Sequence, residues 1–186
     1  MDDSPEVAAG AIFDPSRRYR YRLWRTIDPF AVERRICLFA MLNPSTADEY
    51  VLDPTVRRCV SFAKDWGVFS RVDVVNIFAF RATDPRALLN EPDPVGVDND
   101  RHIEQAAIEA ELIICAWGVY GTLHGRARHV LAALANNPAL RPKLHALGET
   151  ASGQPKHPLY VRADTPLISY TLDNLNPDRR AGRRRI

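Results

Sequence analysis

Two asparagines and a histidine stand where this chain could do chemistry. Asn43 ends the apolar run ICLFAML, Asn76 sits inside VVNIFAF, and His157 precedes Pro158 in the loop GETASGQPKHP. An amide offers one donor and one acceptor side by side, and an imidazole can donate from a ring nitrogen. Trp117-Gly118 closes a third apolar run, LIICAW. In open α/β sheets ligands bind outside the carboxyl ends of the strands, so the residues just past each run are the candidates. The stretch NPSTAD after Leu42 has two readings, a plain strand-to-helix turn or a loop that faces a ligand. Asn43 can bond its own turn backbone, Asn76 can satisfy backbone inside a sheet, and His157 can be an ordinary loop histidine. Those alternatives stand beside the functional ones.

The elements that must position these residues alternate. RRYRYRLWRT, residues 17 to 26, has period two, with Arg18, Arg20 and Arg22 on one side and Tyr19, Tyr21 and Leu23 on the other. That pattern predicts a half-buried strand with an arginine face. Residues 36 to 42 form a continuous apolar run, expected as a strand buried on both faces and paired in a hairpin with the first. Asp53 is a good N-cap with Pro54 at the first helical position, and Val56, Cys59, Val60, Ala63 and Trp66 share a face, so a helix is expected over 53–66. Further strands are expected at 72–80, 112–117 and 143–147, a short helix at 85–89, and longer helices at 98–111 and 119–135. Strand and helix alternation predicts an α/β fold, a mostly parallel central sheet flanked by helices in three layers, with an added N-terminal hairpin. The expected organisation is a flexible segment 1–16, one domain over 17–172 and a basic, disordered tail over 173–186.

Composition sets limits. A chain of 186 residues with 46% hydrophobic content suits one soluble domain. No apolar run approaches the roughly 20 residues that span a bilayer, and the acidic start MDDSPEVAAG is not a signal peptide, so a cytoplasmic protein with no membrane partner is expected. Cys37, Cys59 and Cys115 lie in apolar segments without CxxC spacing, which predicts buried free thiols. The five histidines show no metal-ligand pairing, and no phosphate-loop, dinucleotide or nucleophile-elbow motif is present, so neither metal nor cofactor is expected. The formal charge is +2, yet the last thirteen residues, NLNPDRRAGRRRI, hold five arginines. A basic end on a near-neutral body can attract phosphate backbones, although charged termini are commonly only solvated.

The phrases MLNPSTAD, DPTVRRC, VVNIFAFRATDP, DPVGVDND, AWG and HPLYV, in that order, resemble a bacterial family called domain of unknown function 1643, over about residues 17 to 170. That resemblance names no activity. The strand ends also resemble the uracil-DNA glycosylase superfamily. Met41-Leu42-Asn43-Pro44 looks like its first motif, Asn76 like its base-reading asparagine, Trp117-Gly118 like the end of a third strand, and His157-Pro158 like its His-Pro motif.

The second resemblance implies a glycosylase-like fold and hydrolysis of the N-glycosidic bond of a base in DNA or a nucleotide. Asn43 and His157 would then be catalytic. The Asn43 carbonyl would position a water, and His157 would donate to the departing base. Pro44, Tyr50, Asn76 and Trp117 would form the base site, and Leu167 would wedge into the vacated stack. Arg18, Arg20, Arg22 and Arg81 would contact nucleic-acid backbone. Two departures stand out: Leu159-Tyr160 replaces the usual serine after His-Pro, and the aromatic expected to stack on the base is absent at its usual offset. A non-catalytic nucleotide or nucleic-acid binding module, or a metabolic enzyme on a small anionic substrate, are the alternative expectations.

Overall fold

The computed structural model describes residues 9–45 and 53–176. Seven strands form one sheet: β1 (Ala9–Phe13), β2 (Arg20–Thr26), β3 (Ile36–Met41), β4 (Arg71–Asn76), β5 (Leu112–Cys115), β6 (Leu144–Ala146) and β7 (Ile168–Ser169). Their order across the sheet is β1-β2-β4-β3-β5-β6-β7. The four central strands, β4, β3, β5 and β6, run parallel, whereas β1, β2 and β7 join antiparallel at the edges.

The topology explains the layers. The crossover from β3 to β4 moves one way along the sheet, and those from β4 to β5 and from β5 to β6 move the other way. Right-handed crossovers in opposite directions place their helices on opposite faces. Accordingly α1 (Pro54–Asp65) covers one face, and α2 (Asn99–Glu109) with α3 (Arg126–Asn136) covers the other. Every residue of β3 is buried, as a strand covered on both faces requires. Cys37, Phe39 and Met41 pack under α1 with Val56, Cys59 and Phe62. Ile36, Leu38 and Ala40 pack under α2 and α3 with Ile103, Ala107, Val130 and Leu131. Cys37, Cys59 and Cys115 are buried free thiols, and burial pushes all three well above the usual thiol range.

Helix α1 starts as its sequence dictates. The Asp53 side chain accepts the Val56 N–H at 2.8 Å, and Pro54 holds the first helical position. The other long segment, 119–135, departs from expectation. Val119–Gly125 forms a 3₁₀ turn interrupted at Leu123 and His124, and α3 begins only at Arg126. His124 and Gly125 both have positive φ, which ends one helical run and starts another.

Four further expectations are corrected. Strand β2 pairs with β1 and β4, not β3, so the N-terminal hairpin is β1–β2. Ala9–Phe13, inside the segment read as flexible, is therefore an edge strand. The arginine face of β2 is not solvent-facing, because Arg20 and Arg22 are buried and only Arg18, ahead of the strand, stays exposed. Arg22 bonds Asp73 and Glu109 at 2.6 Å each, and Arg71 reaches the same Asp73 at 2.5 Å. Burial opposes the charge on Arg22, but Glu109 and Asp73 more than compensate and raise its pKa. Finally, residues 172–175 form a 3₁₀ turn with a Thr171–Asn174 capping box, and buried Asn174 bonds Glu149. The folded body thus continues to Asn176, and residues 177–186 of the basic tail lie outside the described residues. Among the described residues, no helix is long and apolar enough to cross a membrane.

Candidate functional site

Strand order reverses around β3, whose neighbours β4 and β5 follow it on opposite sides. Such a switch point leaves a crevice at the carboxyl ends of the strands. A cavity of about 590 Å³ opens there, lined from the ends of all four parallel strands. That size falls within the roughly 300–1,000 Å³ range of small-molecule pockets. Asn43 follows β3, Asn76 ends β4, Trp117 and Gly118 follow β5, and His157 lies in the loop after β6; all of them line the cavity. Met41 and Asn76 are paired in register on neighbouring strands, and the start of α1, at Asp53, Thr55 and Val56, closes the same side.

Asn43 is held from one end. Its Nδ2 donates to the Ala82 carbonyl at 2.7 Å and to the Pro44 carbonyl at 3.2 Å. The turn role anticipated for this residue thus uses the nitrogen alone. Its Oδ1 accepts no side-chain hydrogen bond among the described residues.

Asn76 is the more unusual. It is only 2% exposed, yet its Oδ1 is buried without a hydrogen-bond partner among the described residues. A buried acceptor left unsatisfied costs about 1–3 kcal/mol. Its backbone, by contrast, is tightly fixed. Asn99 Nδ2 donates to the carbonyls of Asn76 and Ile77 at 2.9 and 3.2 Å, and Arg126 Nε donates to Ile77 at 2.6 Å. Ile77 and Phe78 continue the pairing with β3 through the Met41 and Leu42 carbonyls. The unpaired amide oxygen is therefore not the product of a slack strand end.

His157 caps the 3₁₀ turn Pro158–Tyr160, and its Nδ1 accepts the Leu159 N–H at 3.3 Å. With Nδ1 accepting, the neutral ring carries its proton on Nε2, which makes Nε2 a donor. Burial lowers the pKa of this imidazole, opposed by the nearby Asp53 carboxylate, so the neutral form prevails at pH 7.

The remaining expected residues are placed as follows. Trp117 lines the cavity, but its indole N–H is spent on Gln154 Oε1 at 2.9 Å and its ring packs edge-on against Tyr170. Arg20, expected on a solvent face, is instead 3% exposed in the cavity wall. Pro44 is buried outside that wall, and its carbonyl accepts the Ala82 N–H at 2.9 Å. Leu167 also lies outside the wall, because its side chain packs against the core beneath α1. Arg22 is corrected as a backbone contact, since its guanidinium is consumed by Asp73 and Glu109. Arg81 donates to the Arg17 carbonyl at 2.9 Å and stacks over Phe13. Arg18 pairs with Glu91 at 2.9 Å while its side chain stays 56% exposed. Tyr50 lies outside the described residues.

Sequence reasoning missed Asp53, Tyr120, Lys156 and Tyr160 as cavity residues. Asp53 was legible only as a helix cap; its second oxygen accepts the Ser45 hydroxyl at 3.0 Å. Adjacency to His157 was the available signal for Lys156 and Tyr160. No three His, Cys, Asp or Glu side chains gather as metal ligands among the described residues.

A protein-family model described as "protein of unknown function (DUF1643)" matches residues 20–159. The chain belongs to this family. The matched span includes Arg20, Asn43, Asn76, Trp117 and His157, and of the cavity-lining residues Tyr160 lies just beyond it. No curated protein and no solved structure matches the chain.

Proposed function

We propose that this cavity binds a nucleobase and that the protein hydrolyses the N-glycosidic bond joining such a base to its sugar, in DNA or in a nucleotide. The observation that carries this reading is the Asn76 amide, buried beside the cavity with an acceptor that meets no partner among the described residues. A planar base edge with an N–H beside a carbonyl complements an amide. A ligand of that kind would recover what the free protein forgoes once the side chain turns its buried oxygen toward the cavity.

The roles follow from the geometry of the side chains. In hydrolysis a water oxygen bonds to the sugar carbon while the C–N bond breaks, and the base leaves with the electron pair. Asn43, anchored through Nδ2, offers its Oδ1 to orient that water; an amide is too weak a base to do more. His157, with its proton on Nε2, donates to the departing base and stabilises the developing negative charge. The proton lost by the water ends on the base or in solvent. The order Asn43-Pro44, Asn76, Trp117-Gly118 and His157-Pro158 resembles the uracil-DNA glycosylase superfamily, and all four strand ends meet at one cavity. This supports a glycosylase-like fold as part of the proposal.

Release of free base is the test, measured by mass spectrometry on nucleosides and on single- and double-stranded oligonucleotides that carry uracil and damaged bases. Base should be released by the wild type, and Asn43→Ala should lower the rate while leaving most binding intact. Binding without release by the wild type would instead identify a binding module. A second reading, an enzyme on a small anionic substrate, is favoured by the buried guanidinium of Arg20 in the cavity wall. It predicts that anionic metabolites bind with little dependence on a base, whereas several phosphate contacts to nucleic acid would give a steep salt dependence.

A further inference from the structure

A base held by Asn76 needs something against its flat face, and Tyr50, the aromatic of the first loop, lies outside the described residues. Three aromatic residues line the cavity among the described residues: Trp117, Tyr120 and Tyr160. Trp117 is committed to the core by Gln154 and Tyr170. Elsewhere beneath α1, Phe39, Phe62 and Trp66 are stacked on one another inside the protein.

The two tyrosines differ. Tyr120 follows Gly118 on the turn after β5 and is 42% exposed; Tyr160 is 81% exposed. Tyr160 nevertheless sits on a fixed backbone. Pro158 opens its 3₁₀ turn, and the Tyr160 N–H donates to the His157 carbonyl at 3.0 Å. Its ring centroid lies 5.5 Å from that of His157, tilted by 47°. One short turn therefore carries both the imidazole and an uncovered aromatic ring to the same cavity. A fixed turn presenting a bare ring to the cavity that the Asn76 amide also lines is suited to a flat ligand, because ring stacking takes any base while the amide chooses its edge.

We propose that Tyr160, aided by Tyr120, is the stacking wall for the planar ring of the ligand. The assignment rests on the base-binding reading and adds to it the face of the ring that the protein covers. The departure Leu159-Tyr160 after His157-Pro158 is then a functional substitution. The ring can come from a free nucleoside or from single-stranded nucleic acid.

The experiment is calorimetric titration of the full chain with uridine and, separately, with a single-stranded oligonucleotide containing deoxyuridine. Wild type, Tyr160→Phe, Tyr160→Ala, Tyr120→Ala and Asn76→Leu are compared. Tyr160→Phe should bind within about twofold of wild type. Tyr160→Ala should weaken both ligands by roughly 5- to 150-fold, the usual effect of removing one stacking aromatic. Its melting temperature should stay unchanged, since an exposed ring contributes little to folding. Wild-type affinity in Tyr160→Ala, with binding lost in Asn76→Leu, would overturn the stacking assignment and leave the base-binding reading intact. A loss confined to the oligonucleotide would put a neighbouring base on Tyr160 and also overturn it. No binding of either ligand by the wild type would overturn both.

Discussion

Replacing Asn76 by Leu should make the protein more stable and unable to bind its ligand. The free protein holds the Asn76 Oδ1 buried and without a partner among the described residues, a penalty of about 1–3 kcal/mol. Leucine keeps the branching at Cγ, carries no polar atom, and has the adjoining cavity to take its extra volume. Neighbours Val74 and Met41 are apolar, so the side chain gains contacts on a face already built for them. In a chain of this size 1 kcal/mol shifts the melting temperature by about 2–4 °C. Asn76→Leu should therefore melt about 2 to 12 °C higher than wild type in scanning calorimetry. The counterpart Asn76→Asp should melt lower, because a carboxylate there must be desolvated. A fall of several degrees for Asn76→Leu would refute the reasoning. It would mean that the amide is bonded within the folded protein and that the site is structural.

Three other outcomes are expected. Asp73→Ala removes the buried carboxylate that Arg22 and Arg71 share, leaving Arg22 with Glu109 alone, and should cost about 3–5 kcal/mol in urea denaturation; a smaller loss in the double variant Asp73→Leu with Arg22→Met would confirm that the unbalanced charge on Arg22 contributes. Asn43→Ala removes the bonds to the Ala82 and Pro44 carbonyls and should lower stability by about 1 kcal/mol, read from the urea midpoint. His157 has a folded pKa below its usual value of about 6.5, so the unfolded chain binds the proton more readily. Stability should be flat above about pH 6.5 and fall as the pH drops through the lowered folded pKa, with a shallower fall in His157→Gln; identical slopes in the two proteins would contradict the assignment.

Much of the frame was legible because its signals are local. Asp53-Pro54 announces α1 through a cap and a preset φ, and the unbroken apolar runs of β3 and β5 announce strands covered on both faces. The strand-end rule then led to Asn43, Asn76, Trp117 and His157 without any motif of known chemistry. What escaped depends on distant partners. The alternation RYRYR reads as a wet arginine face, yet the acids that draw Arg22 inward, Asp73 and Glu109, come from β4 and α2, well along the chain. The hairpin was assigned to the wrong strand because β1 is short and weakly patterned, whereas β3 is conspicuous. Tyr160 looked like surface because it is surface; only its place beside His157 gives it meaning.

The most direct measurement is a crystal structure of the protein with uracil or uridine bound. The account predicts the ring in the cavity at the ends of β3, β4 and β5, with its edge at hydrogen-bond distance, roughly 2.7–3.2 Å, from both amide atoms of Asn76 and with His157 Nε2 directed at a ring oxygen. A ring bound elsewhere, or an Asn76 amide that turns away to a protein partner, would contradict it.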